Sequence, residues 1–193
     1  LLSQGGAGTG PGFEALNSGD GIIVINTDGI CPGTSCSSGY VVREGANTVY
    51  GPVPGGRRCP LCRYWLTGPA HLLGQINGMN NLAYSIRKKG LEIRRLNDLE
   101  ADALDVGNKR GARSLRDKID LLNRELDVDV AEWAARYNYA MQSIALMDDY
   151  LETKSRIIAT DATLTDATTR VPMVTPSAPL ELKATLEKAH EFV

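Results

Sequence analysis

The chain has 193 residues, 21 of them basic and 23 acidic, for a formal net charge of −2, with 42% hydrophobic and 6% aromatic residues. So small an imbalance excludes a global field that would pull the whole molecule onto nucleic acid or an anionic membrane, and any nucleic-acid contact must be a local patch. The length suits one domain with tails, the scarcity of aromatics beside abundant Leu, Ala, Ile and Val favours helix packing over a β-sandwich, and no apolar run approaches the roughly 20 residues that cross a bilayer.

Residues 1–21 are rich in Gly with Ser, Asn and Asp and lack apolar periodicity, so a flexible leader or linker is expected there. The opening Leu1-Leu2-Ser3-Gln4 has no secretory pattern, and the missing initiator Met reads as a piece cut from something longer. Ile22-Ile23-Val24-Ile25 is a β-branched run long enough for one strand. Residues 22–68 form a loop-rich segment with further short strands at Tyr40-Val41-Val42 and Thr48-Val49-Tyr50. Such a segment buries too little apolar surface to offset its ordering entropy and needs a staple.

Beyond Pro69, with Thr67 as candidate cap, the pattern turns helical over residues 69–158. Leu72, Ile76, Met79, Ala83, Ile86, Gly90 and Ile93 step by four and three, and the helix is expected to end near Val106, where Gly107, Asn108 and Gly111 supply turn chemistry. A second stripe runs through Leu115, Ile119, Leu122, Leu126, Trp133, Tyr137, Ala140, Ile144, Met147 and Leu151, with a near-gap around Asp129-Val130. Two such helices with a short connection are antiparallel neighbours, each about 50 to 65 Å long, open to pairing with a second copy. The Thr- and Pro-rich residues 159–178 read as a linker, and Leu180, Leu182, Leu186, Ala189 and Phe192 as a short amphipathic helix over 179–193. The predicted fold class is therefore mainly α: a small zinc-knuckle or ribbon-like segment carrying four cysteines, followed by a long, coiled-coil-like antiparallel helical hairpin.

The staple is cysteine. Cys31-x4-Cys36 and Cys59-x2-Cys62 are two close pairs separated by 22 residues. That spacing lets each pair approach a tetrahedral zinc ion from its own tight turn, and Pro32, Gly33, Gly55, Gly56 and Pro60 allow the backbone to fold closely around it. Two disulfides, or redox use of Cys59 and Cys62, are the competing readings. His71, nine residues beyond Cys62, is an alternative ligand but reads better as an ordinary helix-start histidine. With two histidines and no nucleophile-base or paired-carboxylate arrangement, no catalytic residue is assigned, and four thiolates leave zinc no open position for water.

Arg57, Arg58 and Arg63 flank the second pair, while Arg94, Arg95, Lys109, Arg110 and Arg113 concentrate toward the hairpin tip. Together they are the candidate phosphate contacts, against the plainer reading of a solvated face balanced by Glu92, Asp98, Glu100, Asp102 and Asp105.

The run Gly29-Ile30-Cys31-Pro32-Gly33, then Pro52-Val53-Pro54-Gly55-Gly56, then Cys59-Pro60-Leu61-Cys62-Arg63-Tyr64-Trp65-Leu66-Thr67-Gly68-Pro69-Ala70-His71-Leu72-Leu73-Gly74-Gln75 resembles the C-terminal region of gamma-mobile-trio type integrases, tyrosine-recombinase-related proteins of bacterial mobile elements. The likeness covers about residues 20–157. It implies DNA integration or recombination by a full-length protein, with the cysteines as a metal site and this region as a non-catalytic accessory. A recombinase centre of Arg, His and Tyr does not assemble here, and Tyr64, Tyr137, Tyr139 and Tyr150 read as packing residues. Double-stranded DNA, a second copy or other mobile-element proteins are the expected partners, zinc the expected cofactor and the cytoplasm the expected compartment. No membrane and no small-molecule substrate are expected. The alternative is a purely structural module that uses its helix stripes for self-association or docking.

Overall fold

The computed structural model describes residues 1–160 other than 4, 5, 9, 20 and 44–46, and only the backbone of 6, 7 and 150–160. It is mainly helical, with small antiparallel strand pairs preceding two long helices. Strand β1 (Leu2–Ser3) pairs with β2 (Gly6–Ala7), and helix α1 (Pro11–Ser18) follows. Pro11 suits its first turn, where an amide proton has no partner, and Gly19 closes it at φ 70°. The expectation of a leader without packed structure is corrected here. Leu2 is 2% exposed and Ser3 1%, and Leu2 exchanges both backbone bonds with Thr67, at 2.7 and 2.9 Å. Glycine enrichment hid a short apolar anchor at the first residues.

β3 (Val24–Asn26) and β4 (Gly29–Cys31) form the second pair, in the register Val24 to Cys31 and Ile25 to Ile30. Only the second half of the β-branched run enters a strand, Ile22 and Ile23 lying before it, and that strand stays exposed, with Val24 at 48% and Ile25 at 73%. Ile30 also bonds Leu66 across its other edge, at 2.7 and 3.0 Å, which ties this hairpin to the segment entering the helices. Gly29 makes the crossing possible: a Cβ there would lie 2.5 Å from the Trp65 ring. β5 (Tyr40–Arg43) and β6 (Val49–Gly51) form the third pair, with a register shift between Val41 and Arg43.

A 3-10 turn over Pro69–His71 leads into α2 (Leu72–Asp105, 34 residues). Thr67 does not cap it. Its hydroxyl donates to the Asp28 carbonyl at 3.0 Å and accepts from Gln75 at 3.2 Å, so Thr67 links the hairpin turn to the helix instead. Gly107, at φ 75°, ends α2: its N–H reaches Leu104 O at 2.9 Å and the Asn108 N–H reaches Ala103 O at 2.8 Å, the paired bonds of a Schellman stop. Asn108 then turns its side chain forward and accepts the Gly111 N–H at 3.0 Å, capping α3 (Lys109–Thr160, 52 residues).

Three residues joining two long helices force them to run in opposite directions, and the cross-helix pairs follow that sense. Glu100 meets Arg116 near the turn, Lys89 meets Glu125 midway, and Gly78 lies beneath Arg136 toward the base. The main core sits at the base: Leu72, Met79, Trp133, Ala140 and Ile144 are buried, flanked by Ile76, Leu82, Ala83, Ile86 and Met147. These are the two stripes read from the sequence. Trp133 stacks on Tyr137 with centroids 5.4 Å apart. Leu96, Ala112 and Ile119 continue the seam toward the turn. A second cluster of Leu2, Trp65 and Tyr139, against which Cys31, Cys59 and Cys62 pack, joins the cysteine segment to α3. Among the described residues no helix is long and apolar enough to cross a membrane. The linker expected at 159–178 and the helix expected at 179–193 lie outside the described residues, save 159 and 160, which extend α3.

Candidate metal centre

Cys31 ends β4, Cys36 opens a 3-10 turn over Cys36–Ser38, and Cys59 opens another over Cys59–Leu61, with Cys62 directly after it. Each turn closes by one backbone bond, Gly39 N–H to Cys36 O at 3.4 Å and Cys62 N–H to Cys59 O at 2.8 Å. The Arg63 N–H then donates to Gly39 O at 2.7 Å and joins the two turns. Residue 39 must be small for this: a Cβ there would stand 2.9 Å from the Cys62 sulfur.

All four cysteines are free thiols and line one cavity of about 330 Å³, walled also by Val53, Tyr64 and Trp65. Burial pushes the Cys59 thiol above its ordinary pKa, and Cys31 and Cys62 push it further, since a thiolate there would face like charge. Burial also raises Cys62, opposed by hydrogen bonding from the backbone of Tyr64 and Trp65, and the Trp65 N–H also donates to the Cys62 carbonyl at 2.9 Å. Backbone hydrogen bonding to sulfur favours a thiolate, and a divalent cation among the four would relieve the repulsion of like charges. Among the described residues no three His, Cys, Asp or Glu side chains converge closely enough to hold a metal ion. The thiols share a cavity wall without meeting at a point. Thiols are the donor type that a thiolate-binding ion such as zinc takes, and an ion bound by all four would have to draw the sulfurs inward.

Beneath the cysteines lies an ionic network that sequence reasoning missed. Arg58, directly before Cys59, extends its guanidinium to α3, with Nη2 to Asp129 Oδ1 at 2.6 Å and Nη1 to Glu132 Oε2 at 2.7 Å. Asp129 Oδ2 also accepts Ser85 Oγ and Lys89 Nζ from α2, each at 2.9 Å. Glu132 Oε1 accepts Arg136 Nη2 at 2.8 Å, and Arg136 Nη1 reaches Asp28 Oδ2, three residues before Cys31, at 2.8 Å. Gln75 donates to the Asp28 carbonyl. Burial pushes the Asp129 carboxyl up, but the donated bonds of Lys89, Ser85 and Arg58 outweigh it and hold the group below its ordinary value. Asp129 is 2% exposed and Glu132 6%, so these are paired buried charges rather than surface bridges.

The candidate phosphate contacts divide. Arg58 is committed to Asp129 and Glu132. Arg63 lies over the rings of Tyr50, at 3.7 Å, and Tyr64, at 4.6 Å, and donates to the Tyr64 hydroxyl at 2.7 Å. Arg95 pairs with Glu92 at 2.7 Å. Arg57 is exposed beside the cysteine cavity. Arg94, Lys109, Arg110 and Arg113 are exposed along the distal helices and form no ion pair with the described residues. Lys109 and Arg113 line a hollow of about 190 Å³ with Arg116, whose charge Glu100 meets at 2.6 Å. The structure therefore places the cysteines on one cavity but disperses the basic set: Arg58 joins the network, Arg63 lies over two rings, Arg95 pairs with Glu92, Arg57 stands beside the cavity, and Arg94, Lys109, Arg110 and Arg113 stand exposed on the distal helices.

His71 stands in the turn before α2 and does not line the cysteine cavity. Tyr139 is 3% exposed, and burial raises its phenol far above the ordinary range, so it is held neutral. Tyr137 serves the Trp133 stack, Tyr64 the Arg63 clip, and the Tyr150 side chain lies outside the described set. No family model, no curated protein and no solved structure matches this chain.

Proposed function

We propose that the chain is a non-catalytic, zinc-anchored helical module that serves DNA engagement or assembly of the recombination complex of a mobile-element integrase in the cytoplasm. The observation that carries the metal part is that all four free thiols line one cavity, two of them opening 3-10 turns. Four thiolates saturate a tetrahedral ion, so the metal is a staple for the loop-rich segment rather than a reaction centre. The integrase part rests on the resemblance of the Cys59-to-Gln75 block, and the DNA part on Arg94, Lys109, Arg110 and Arg113 standing exposed without carboxylate partners among the described residues. Cations so placed give sequence-independent, salt-sensitive duplex binding.

Metal content per chain by mass spectrometry, on protein purified without added zinc, tests the first part, with one zinc expected and none refuting it. Fluorescence anisotropy with duplex DNA at low salt tests the second. Binding that survives charge reversal at Arg94, Lys109, Arg110 and Arg113 removes these distal cations from the reading.

A second reading, self-association through a coiled-coil-like face, is favoured by Leu73, Tyr84 and Leu91. They are 72%, 73% and 57% exposed, and at separations of 11 and 18 residues they fall on one line of α2, away from the core stripe. Light scattering across micromolar concentrations decides it, a strictly monomeric mass being the refuting result.

A further inference from the structure

The two cysteine arms reach α3 through charges that close a circuit. Asp28 precedes the first pair and binds Arg136; Arg58 precedes the second and binds Asp129 and Glu132; Glu132 bridges Arg58 and Arg136. Residues 129, 132 and 136 are spaced by three and four, so they share one face of α3 and form a rigid rail under both arms. The backbone carries this placement to the sulfurs over short distances. The Arg58 carbonyl accepts the Leu61 N–H at 3.0 Å and so opens the turn that holds Cys59, while Asp28 stands in the turn leading into the strand that ends at Cys31.

From this we infer that the rail sets the separation of the two thiol pairs, which makes Glu132, Arg136, Arg58 and Asp28 positioning residues for the metal. Metal binding in turn tightens the middle of α3. The inference rests on the zinc reading and specifies how that site is built and what it regulates. The thiols line one cavity without converging. The free energy of drawing them together therefore depends on how firmly each arm is held, and a rail that fixes both arms lowers that cost. Linkage makes the effect reciprocal: whatever the rail contributes to metal affinity, the metal returns as stability of the rail. A network that served stability alone would change the unfolding midpoint without changing metal affinity at constant helicity.

The test uses the full chain and zinc alone. Affinity is measured by competition with a chromophoric chelator for the wild type, Glu132→Gln and, as control, Arg95→Gln, whose exposed pair with Glu92 belongs neither to the network nor to the cavity lining. Coupling between two sites is typically worth roughly 5- to 150-fold in affinity, so Glu132→Gln is expected to weaken zinc at least about fivefold with far-UV circular dichroism unchanged, and Arg95→Gln to leave affinity alone. Amide hydrogen exchange at residues 129–136 is expected to slow on zinc addition in the wild type and not in Glu132→Gln. Wild-type affinity in Glu132→Gln, or exchange at 129–136 indifferent to zinc, overturns the inference while the zinc reading stands. A wild-type chain that binds no zinc overturns both, and the metal count tells the two failures apart. Should Glu132→Gln lose helicity, Arg58→Lys keeps the charge but not the two-pronged contact. It is expected to show the same loss of affinity, and unchanged affinity there overturns the inference equally.

Discussion

Asp129 is where the cysteine segment, α2 and α3 meet, and Asp129→Asn is the sharpest perturbation of that junction. The carboxylate accepts Arg58 at 2.6 Å and Ser85 and Lys89 at 2.9 Å while being 2% exposed. Removing one partner of a buried charge pair costs about 3 to 5 kcal/mol, because the charge left behind is uncompensated. Two features reduce the cost here. Arg58 keeps Glu132 at 2.7 Å and Lys89 keeps Glu125 at 3.2 Å, and both cations are about one-fifth exposed, at 20% and 19%, so water can reach them. Asparagine retains one acceptor oxygen but presents its amide to a cation. The expected loss is therefore about 2 to 3 kcal/mol, a substantial share of a typical 5 to 15 kcal/mol domain stability. It corresponds to a rise of roughly 30- to 140-fold in the unfolded-to-folded ratio. Urea unfolding followed by far-UV circular dichroism measures it as a lower midpoint at unchanged slope. A change below about 0.5 kcal/mol would mean that the network is as weak as surface bridges are, and that burial adds nothing to it.

The same carboxylate gives a pH signature. Its pKa is depressed in the fold, so its contribution is complete above the ordinary value near 3.8 and is lost as pH falls through the lower folded value; the stability gap between wild type and Asp129→Asn should narrow below about pH 4, and a constant gap down to pH 2 refutes it. Trp133→Ala removes the largest side chain of the basal core and should cost about 3 to 5 kcal/mol by urea melt, with less than 1.5 kcal/mol contradicting its central place in the seam. Asn108→Ala removes the cap of α3 and should cost about 1 kcal/mol, read as faster amide exchange over residues 109–112; unchanged exchange there would show that Gly107 alone fixes the turn. Cys59→Ser should abolish stoichiometric zinc and expose residues 28–66 to protease while most helical circular dichroism persists, and undiminished protease resistance would show that the segment is held by something other than metal.

What the sequence disclosed, and what it concealed, follows from how far each signal acts along the chain. Helix stripes are local and periodic, so Leu72, Met79, Trp133, Ala140 and Ile144 could be placed in the core by spacing alone, and Gly107-Asn108 located the turn because left-handed and capping chemistry are written in two residues. The close spacing of the cysteines is likewise local: Cys36 and Cys59 open turns that each fold within four residues, Cys31 ends a strand, and all four line one cavity. The anchoring of Leu2 was hidden because its backbone partner Thr67 lies far along the chain, and a glycine-rich composition averages over the two residues that pack. Arg58 and Arg63 resembled their neighbours as exposed cations, since nothing adjacent announces a carboxylate 71 residues away or Tyr50 on a distant strand. One signal was present and pointed the right way. Asp129 occupies the position three beyond Leu126 and four before Trp133, where the stripe demands an apolar side chain, and a carboxylate forced into a seam survives only if cations meet it. Read so, the interruption is not a weakness in the helix pattern but the address of its junction with the cysteine arms. Lys89 on α2 and Arg58 before Cys59 are the cations that an interruption at that level of an antiparallel pair calls for.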